Sequence, residues 1–179
     1  MNGDSKKEVI ALGQTYFAVQ TRKQELLDEE LKDLDEEEKR LKIRDEVKKG
    51  NYGLNRQAVK SGVKNLAEFT NAGYKGLYNG ETADDIFKRN NLRYREDLLD
   101  NMGSSELIAN LFRIDQTNQK LKRDNVDNEY AASNAHYEIG KKVRNAIKDM
   151  GGTMPENLKT PSKSLKELEK ESKMIDKIK

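Results

Sequence analysis

The chain of 179 residues has no cysteine and no tryptophan. Without thiols there is no disulfide scaffold, no thiolate zinc site and no cysteine nucleophile. A single histidine, His136, excludes a histidine-rich metal site and a two-histidine relay. Two prolines, Pro155 and Pro161, leave everything before residue 155 free to be helical. β-branched residues are sparse and scattered, with no alternating strand pattern. No apolar run approaches the ~20 residues of a membrane helix, and no signal peptide is visible. These absences lead to the expectation of a cytoplasmic, all-α protein with no membrane segment and no cofactor.

What is abundant is charge. Charged residues make up 37% and hydrophobic ones 34%, and the mean hydropathy is −1.01. Ordinary domains run nearer a quarter charged. The net charge is only +2, so bulk electrostatics would not hold this chain on DNA. The charge is uneven: residues 25–46 carry eleven acids against five bases, and residues 159–179 carry seven lysines against four acids. The simplest reading of the acidic run is a solvated helix face laced with i,i+4 pairs such as Glu36–Arg40 and Glu38–Lys42. DNA mimicry and a specific acidic docking surface are the alternatives.

Ser5 and Glu8 form a capping-box pattern that starts a first helix. Val9, Leu12, Tyr16, Phe17 and Val19 give it an apolar stripe, and Leu27, Leu31, Leu34 and Leu41 continue the rhythm. Gly50-Asn51-Tyr52-Gly53 is the first strong stop, so the expectation is one helix over about 5–48, ~65 Å long. The stripe Val9, Leu12, Tyr16, Phe17 and Val19 is a candidate for self-association into a homo-oligomer.

Short helices are expected at 54–62, 64–72 and 95–102, the second with Leu66 and Phe69 on one face. Another is capped by Thr82 with Asp85 at its third position, and buries Ile86 and Phe87. Residues 73–80 read as a turn-rich aromatic loop. Two long helices follow, about 104–124 and 128–150, expected to form an antiparallel hairpin. Leu107, Leu111, Ile114 and Leu121 line the first, with Asn118 as a register-fixing polar residue. The second carries Tyr130, Tyr137, Gly140, Val143 and Ile147. Gly140 in mid-helix points to close approach of a neighbour. Gly151 and Gly152 end the hairpin. Ser164 and Glu167 repeat the capping-box pattern and open a last helix, with Leu165, Leu168, Ile175 and Ile178 on a thin apolar face and a loose attachment expected. The organisation read from this is a long helix over 1–50, a helical domain over 51–158 and a basic C-terminal helix or tail over 159–179.

No catalytic set can be assembled. His136-Tyr137-Glu138 matches the H-x-E of zinc deaminases, which also need a cysteine pair; His136 reads as an ordinary helix-surface or partly buried residue. Asp84-Asp85 and Glu96-Asp97 are adjacent carboxylates that point in different directions on a helix. Residues 124–128 lack the glycine and glutamate of a calcium loop. The glycines at 73–80 fit neither a P-loop nor a dinucleotide fingerprint. Within that loop Tyr74, Lys75 and Tyr78 are candidates for stacking on single-stranded bases, against the plainer reading of a turn pinned by core aromatics. Basic residues gather on the hairpin as a candidate phosphate or partner face: Arg113, Lys120, Lys122 and Arg123 on one arm, Lys141, Lys142, Arg144 and Lys148 on the other. Interspersed acids make a solvated mixed face the competing reading.

Four stretches carry a resemblance: IALGQTYFAVQTRKQEL from residue 10, NAGYKGLYNG from 71, LLDNMGSSELIANLFR from 98 and EIGKKVRNAIKDMGGTMPENL from 138. In order and spacing, over roughly residues 8–160, they resemble the bacterial DNA-damage-inducible protein D family. Its members usually carry an N-terminal BRO-type domain. Residues 1–22 look like the final helix of that domain, so the expectation is a truncated member, a fragment or a gene with an internal start. The resemblance implies a role in the DNA-damage (SOS) response, association with the RecA–single-stranded DNA filament, and restraint or dismantling of it. It supplies no catalytic residues. A DNA-binding, antirepressor-like regulator using the basic hairpin face is the alternative.

Overall fold

A computed structural model of the chain describes residues 34–93 and 96–176, together with Glu29 and Leu31. The stripe Val9, Leu12, Tyr16, Phe17 and Val19, the Ser5–Glu8 capping pattern and Ile178 lie outside the described residues. The chain divides into two compact units, Met1–Asp35 and Glu36–Lys179. Among the described residues there are six α-helices and no strand. They are α1 (Glu36–Lys60), α2 (Leu66–Leu77), α3 (Ala83–Arg89), α4 (Ser104–Arg123), α5 (Glu129–Asp149) and α6 (Leu165–Asp176). Two 3₁₀ turns, Leu99–Asn101 and Pro155–Asn157, complete the set. The fold class is therefore all-α.

The first long helix is not where the glycines placed it. Leu34 and Asp35 are non-helical, which breaks a continuous 5–48 helix. From Glu36 the helix then runs straight through Gly50 and Gly53 to Lys60, absorbing the short helix expected at 54–62. A boundary at residue 50 thus falls inside a helix. Helix α1 packs broadly on α4. Its buried residues Arg40, Ile43, Arg44, Val47, Leu54 and Ala58 recur at helical spacing. Gly50 sits on that seam: a Cβ there would lie 3.1 Å from Ile114 Cγ2 and 3.7 Å from Leu111 Cδ1. Beside it, a Cβ on Gly53 would meet Asn118 Nδ2 at 3.9 Å. Packing against α4 offsets the ~1 kcal/mol that a mid-helix glycine costs.

The true stop is Gly62, whose φ is +84°. Val63 N–H donates to Ala58 O at 3.0 Å and Gly62 N–H to Val59 O at 3.1 Å, the paired bonds of a Schellman motif. The same device ends four more helices. Asn79, Asn91, Asn125 and Gly151 all have positive φ. The following amides reach back to Lys75 O, Phe87 O, Leu121 O and Ile147 O at 2.7 to 3.2 Å.

Helix α2 also overruns its expected end. Residues 73–77, read as loop, are its last turn and a half, and only Tyr78–Gly80 turn. Again the glycines serve contact. Helix α2 makes its broadest contact with α5. A Cβ on Gly76 would overlap the Tyr137 carbonyl oxygen, and one on Gly140 would fall 2.7 Å from Gly73 O and 2.9 Å from Leu77 N. The reading of Gly140 as a close-approach residue holds. The two long helices α4 and α5 are joined by a short reversal at 124–128 and touch each other, but each has a larger partner elsewhere: α1 for α4, and α2 for α5.

Caps behave as the sequence suggests. Thr82 and Asp85 form a reciprocal capping box on α3. Ile86 is fully buried, whereas Phe87 is half-buried. Ser164 and Glu167 form a box on α6. Two further caps come from other helices. Glu36 accepts from Ser104 N–H at 3.0 Å and Oγ–H at 2.8 Å, satisfying the start of α4. Glu129 accepts from Lys64 and Asn65 N–H at 3.0 and 2.7 Å, just before α2. The helix expected over 95–102 is reduced to the 3₁₀ turn at Leu99–Asn101.

Candidate functional site

Arg113, expected on a basic face, and His136, expected at the helix surface or partly buried, both lie in the core. Arg113 is 1% exposed and His136 is 1% exposed. Arg113 projects from the buried stripe of α4 that also holds Glu106, Leu107, Asn110, Ile114, Thr117 and Leu121. His136 lies on the buried face of α5 with Ala132, Ala135, Ile139, Gly140 and Val143. The two meet where α2 presents Gly73: a Cβ there would collide with both Arg113 Nη1 and His136 Nε2. Glycine makes room for the pair.

A continuous polar chain passes through this point. His136 Nδ1–H donates to Phe69 O at 2.9 Å, which leaves Nε2 to accept from Arg113 Nη1–H. Arg113 Nη2–H donates to Asn110 Oδ1 at 3.0 Å. Asn110 Nδ2–H donates to Tyr78 Oη at 2.8 Å, and Tyr78 Oη–H donates to Glu106 Oε1 at 2.8 Å. The Arg113 guanidinium stacks over Tyr74, 4.9 Å from the ring centroid, and the rings of Phe69 and His136 lie 4.5 Å apart.

Burial sets the electrostatics. It pushes the Glu106 carboxyl up to about 7, against the Tyr78 hydrogen bond, which pulls the other way. Burial, with Arg113 alongside, holds His136 well below its ordinary value, so the ring is neutral. Burial raises Tyr74, and raises Tyr78 far more. The same burial lowers Arg113. These groups are buried, and the chain they form holds α2, α4 and α5 in one register.

The aromatic candidates are thus corrected. Tyr74 is 6% exposed and Tyr78 fully buried, so neither can stack on a base; Lys75 alone of that trio is exposed. The basic set is divided as well. Arg113 is core. Arg144 is half-buried and clamps Glu156 with two bonds of 2.6 Å while donating to Leu77 O at 3.1 Å. Lys120 and Arg123 both bind Asp124, at 2.5 and 2.9 Å. Lys122, Lys141, Lys142 and Lys148 are exposed.

Two aromatic residues carried by α5 face out: Tyr130 is 83% and Tyr137 36% exposed. They continue into an exposed stripe with Asn134, Lys141, Asn145 and Lys148. The signal was available in the spacing. Ala132, Ala135, His136, Ile139, Gly140 and Val143 form the self-consistent inward face, and the tyrosines fall opposite it. No cluster among the described residues could hold a metal ion, and none of their helices is long and apolar enough to cross a membrane.

Comparison with known proteins places these features in a family. Residues 34–168 match the model of the DinD C-terminal domain. The DNA damage-inducible protein D of Escherichia coli (strain K12) is 49% identical over 98% of this chain, which spans 66% of that relative's length. No solved structure matches the chain. With a family model spanning most of the described helices and a relative matched along nearly the whole sequence, the chain belongs to the DinD family and carries its C-terminal domain.

Proposed function

We propose that the chain is a non-enzymatic component of the DNA-damage response that works by contact, binding RecA–single-stranded DNA filaments and restraining or dismantling them. The observation that carries the reading is the 49% identity, over 98% of the chain, to a protein named as inducible by DNA damage. The interior lends support to the non-enzymatic part: the acid–base groups Glu106, Tyr78 and His136 are hydrogen-bonded to one another or to the backbone in the core. Groups committed in this way organise helices and do not meet substrates.

The test is a binding assay of the purified chain with RecA filaments, followed by ATP turnover and strand exchange. Binding with reduced strand exchange is the expected result. A chain that neither binds filaments nor alters their turnover defeats the proposal. The apolar stripe Val9, Leu12, Tyr16, Phe17 and Val19 adds the expectation of a homo-oligomer, and a monomeric mass by light scattering overturns it.

A further inference from the structure

On the outward face of α5, Tyr130, Asn134, Tyr137, Lys141, Asn145 and Lys148 follow one another at spacings of four, three, four, four and three residues. Every one of them is exposed. That spacing is a single straight row along the helix. The row contains no acid. Of the three acids of α5, Glu129 is turned to the amides before α2. Glu138 and Asp149 fall beside the row, on the side of Lys142, one turn and two turns from that residue. Glu138, four residues after Asn134 and three before Lys141, flanks the middle of the row, and Asp149 flanks its end; Lys141 and Lys148 lie on it. Lys75 adds a further exposed cation, one residue before the glycine that meets the Tyr137 and Lys141 backbone.

Scattered exposed apolar residues are ordinary on a protein surface. Two tyrosines two turns apart on the same row as two lysines are a different pattern. Tyr130 at 83% exposure packs on almost nothing. A flat aromatic ring held out from a rigid helix, followed by exposed ammonium groups on the same face, suits a ligand with both π-faces and phosphates. Single-stranded nucleic acid offers its bases for stacking on any aromatic face and its backbone to the cations. A duplex hides its bases and offers the tyrosines nothing. The row is ~27 Å long from Tyr130 to Lys148, and the two tyrosines are ~10 Å apart along the axis. That length fits a site of about four nucleotides or more.

We propose that this face of α5 binds single-stranded DNA directly, with Tyr130 and Tyr137 stacking on bases and Lys141 and Lys148 contacting phosphates. The choice of DNA over RNA rests on the proposed role at single-stranded DNA filaments; the stacking and charge argument stands without it.

The experiment is fluorescence anisotropy of labelled oligonucleotides (single-stranded DNA, the same sequence as RNA, and a DNA duplex) titrated with the full chain, with no RecA present. Y130A/Y137A and K141Q/K148Q are compared with the parent. All four side chains are exposed, and circular dichroism verifies that each variant keeps its helix content. The parent is expected to favour single-stranded DNA, with log K falling linearly against log salt. Each tyrosine removed should weaken binding about tenfold, and the lysine pair should flatten the salt slope by about 0.7 for each phosphate no longer neutralised. No binding at low salt, a preference for duplex, tighter binding of RNA than of DNA, or binding unchanged in both variants overturns the proposal. The filament assay with the same variants separates the two readings. If Y130A/Y137A loses filament binding while oligonucleotide binding is intact, the face docks protein, and the DNA proposal fails while the filament proposal survives.

Discussion

Glu106 and His136 are single residues with opposite effects on how stability depends on pH. The folded state keeps a proton on Glu106 up to about pH 7, where the unfolded chain releases it near 4.5. Between those values the folded state binds more protons, so this residue makes stability fall as pH rises. His136 stays neutral in the fold, whereas the unfolded chain takes up a proton below about 6.5. Its contribution is complete above 6.5 and is lost as pH falls below it. Below pH 6.5 the two slopes therefore oppose each other. E106Q keeps an acceptor for Tyr78 Oη–H and removes the ionisation. Its stability should rise with pH up to about 6.5 and then level off. At pH 8 the variant should be the more stable by up to about 3 kcal/mol, since each unit of pKa shift corresponds to about 1.4 kcal/mol. Denaturant midpoints of parent and variant at pH 5, 6.5 and 8 check this. Parallel pH profiles would show that Glu106 is not held protonated in the core.

At the scale of the helix, glycine decides how closely elements approach, and here sequence reading met its limit. The capping boxes Thr82–Asp85 and Ser164–Glu167 were legible because a cap is a local pattern of donors and acceptors. The Gly50–Gly53 and Gly73–Gly76 pairs were misread as a stop and a loop. Their function depends on what lies across the interface: Ile114 for Gly50, and the Tyr137 carbonyl for Gly76. Nothing in a local window distinguishes a glycine that ends a helix from one that lets another helix in. The reading of His136 as surface or partly buried, and of Arg113 as part of a basic face, has the same origin. Polarity argues for exposure, and the Phe69 carbonyl, 67 residues from His136, and the bond between Arg113 and His136, 23 residues apart, reverse it. A direct test separates the two kinds of glycine. G76A puts a methyl group against the backbone of α5 and should cost about 3 kcal/mol or more, because backbone cannot move aside as a flexible side chain does. At Gly80 a Cβ would meet no atom within 4 Å, though its φ is +99°. G80A should therefore cost only the strain of that conformation, about 1 kcal/mol. Thermal unfolding of the two variants checks the order, and equal losses would contradict the close crossing.

At the scale of the whole unit Glu36–Lys179, two arginines of α1 tie regions far apart in sequence. Arg40 donates to the carbonyls of Met102, Asp100 and Lys163 at 3.0, 3.0 and 3.1 Å. Arg44 binds Asp100 at 3.0 Å and Glu169 at 2.7 Å. Together they gather the 3₁₀ turn before α4 and the segment opening α6 onto one helix. Leu165, fully buried, seats the first turn of α6. The charge that dominates the composition is therefore partly structural: Glu36 caps α4, Arg40 is 3% exposed, and the acidic run is not wholly a solvated face. The lysine-rich end of the chain is joined to the core by these same groups, and its contribution can be measured. Ending the chain at residue 162 removes the carbonyl of Lys163, the carboxylate of Glu169 and the side chain of Leu165 together. Burying one leucine is worth about 2 kcal/mol and a hydrogen bond to a charged group about 1.5 to 3 kcal/mol, with water replacing part of the latter. The shortened chain should lose about 3 kcal/mol while keeping a single cooperative transition, because α1, α2, α4 and α5 retain their mutual contacts. L165A in the full chain isolates the apolar share and should account for more than half of the loss. If truncation leaves the denaturant midpoint unchanged, α6 is not held by the contacts that Arg40, Arg44 and Leu165 make in this structure.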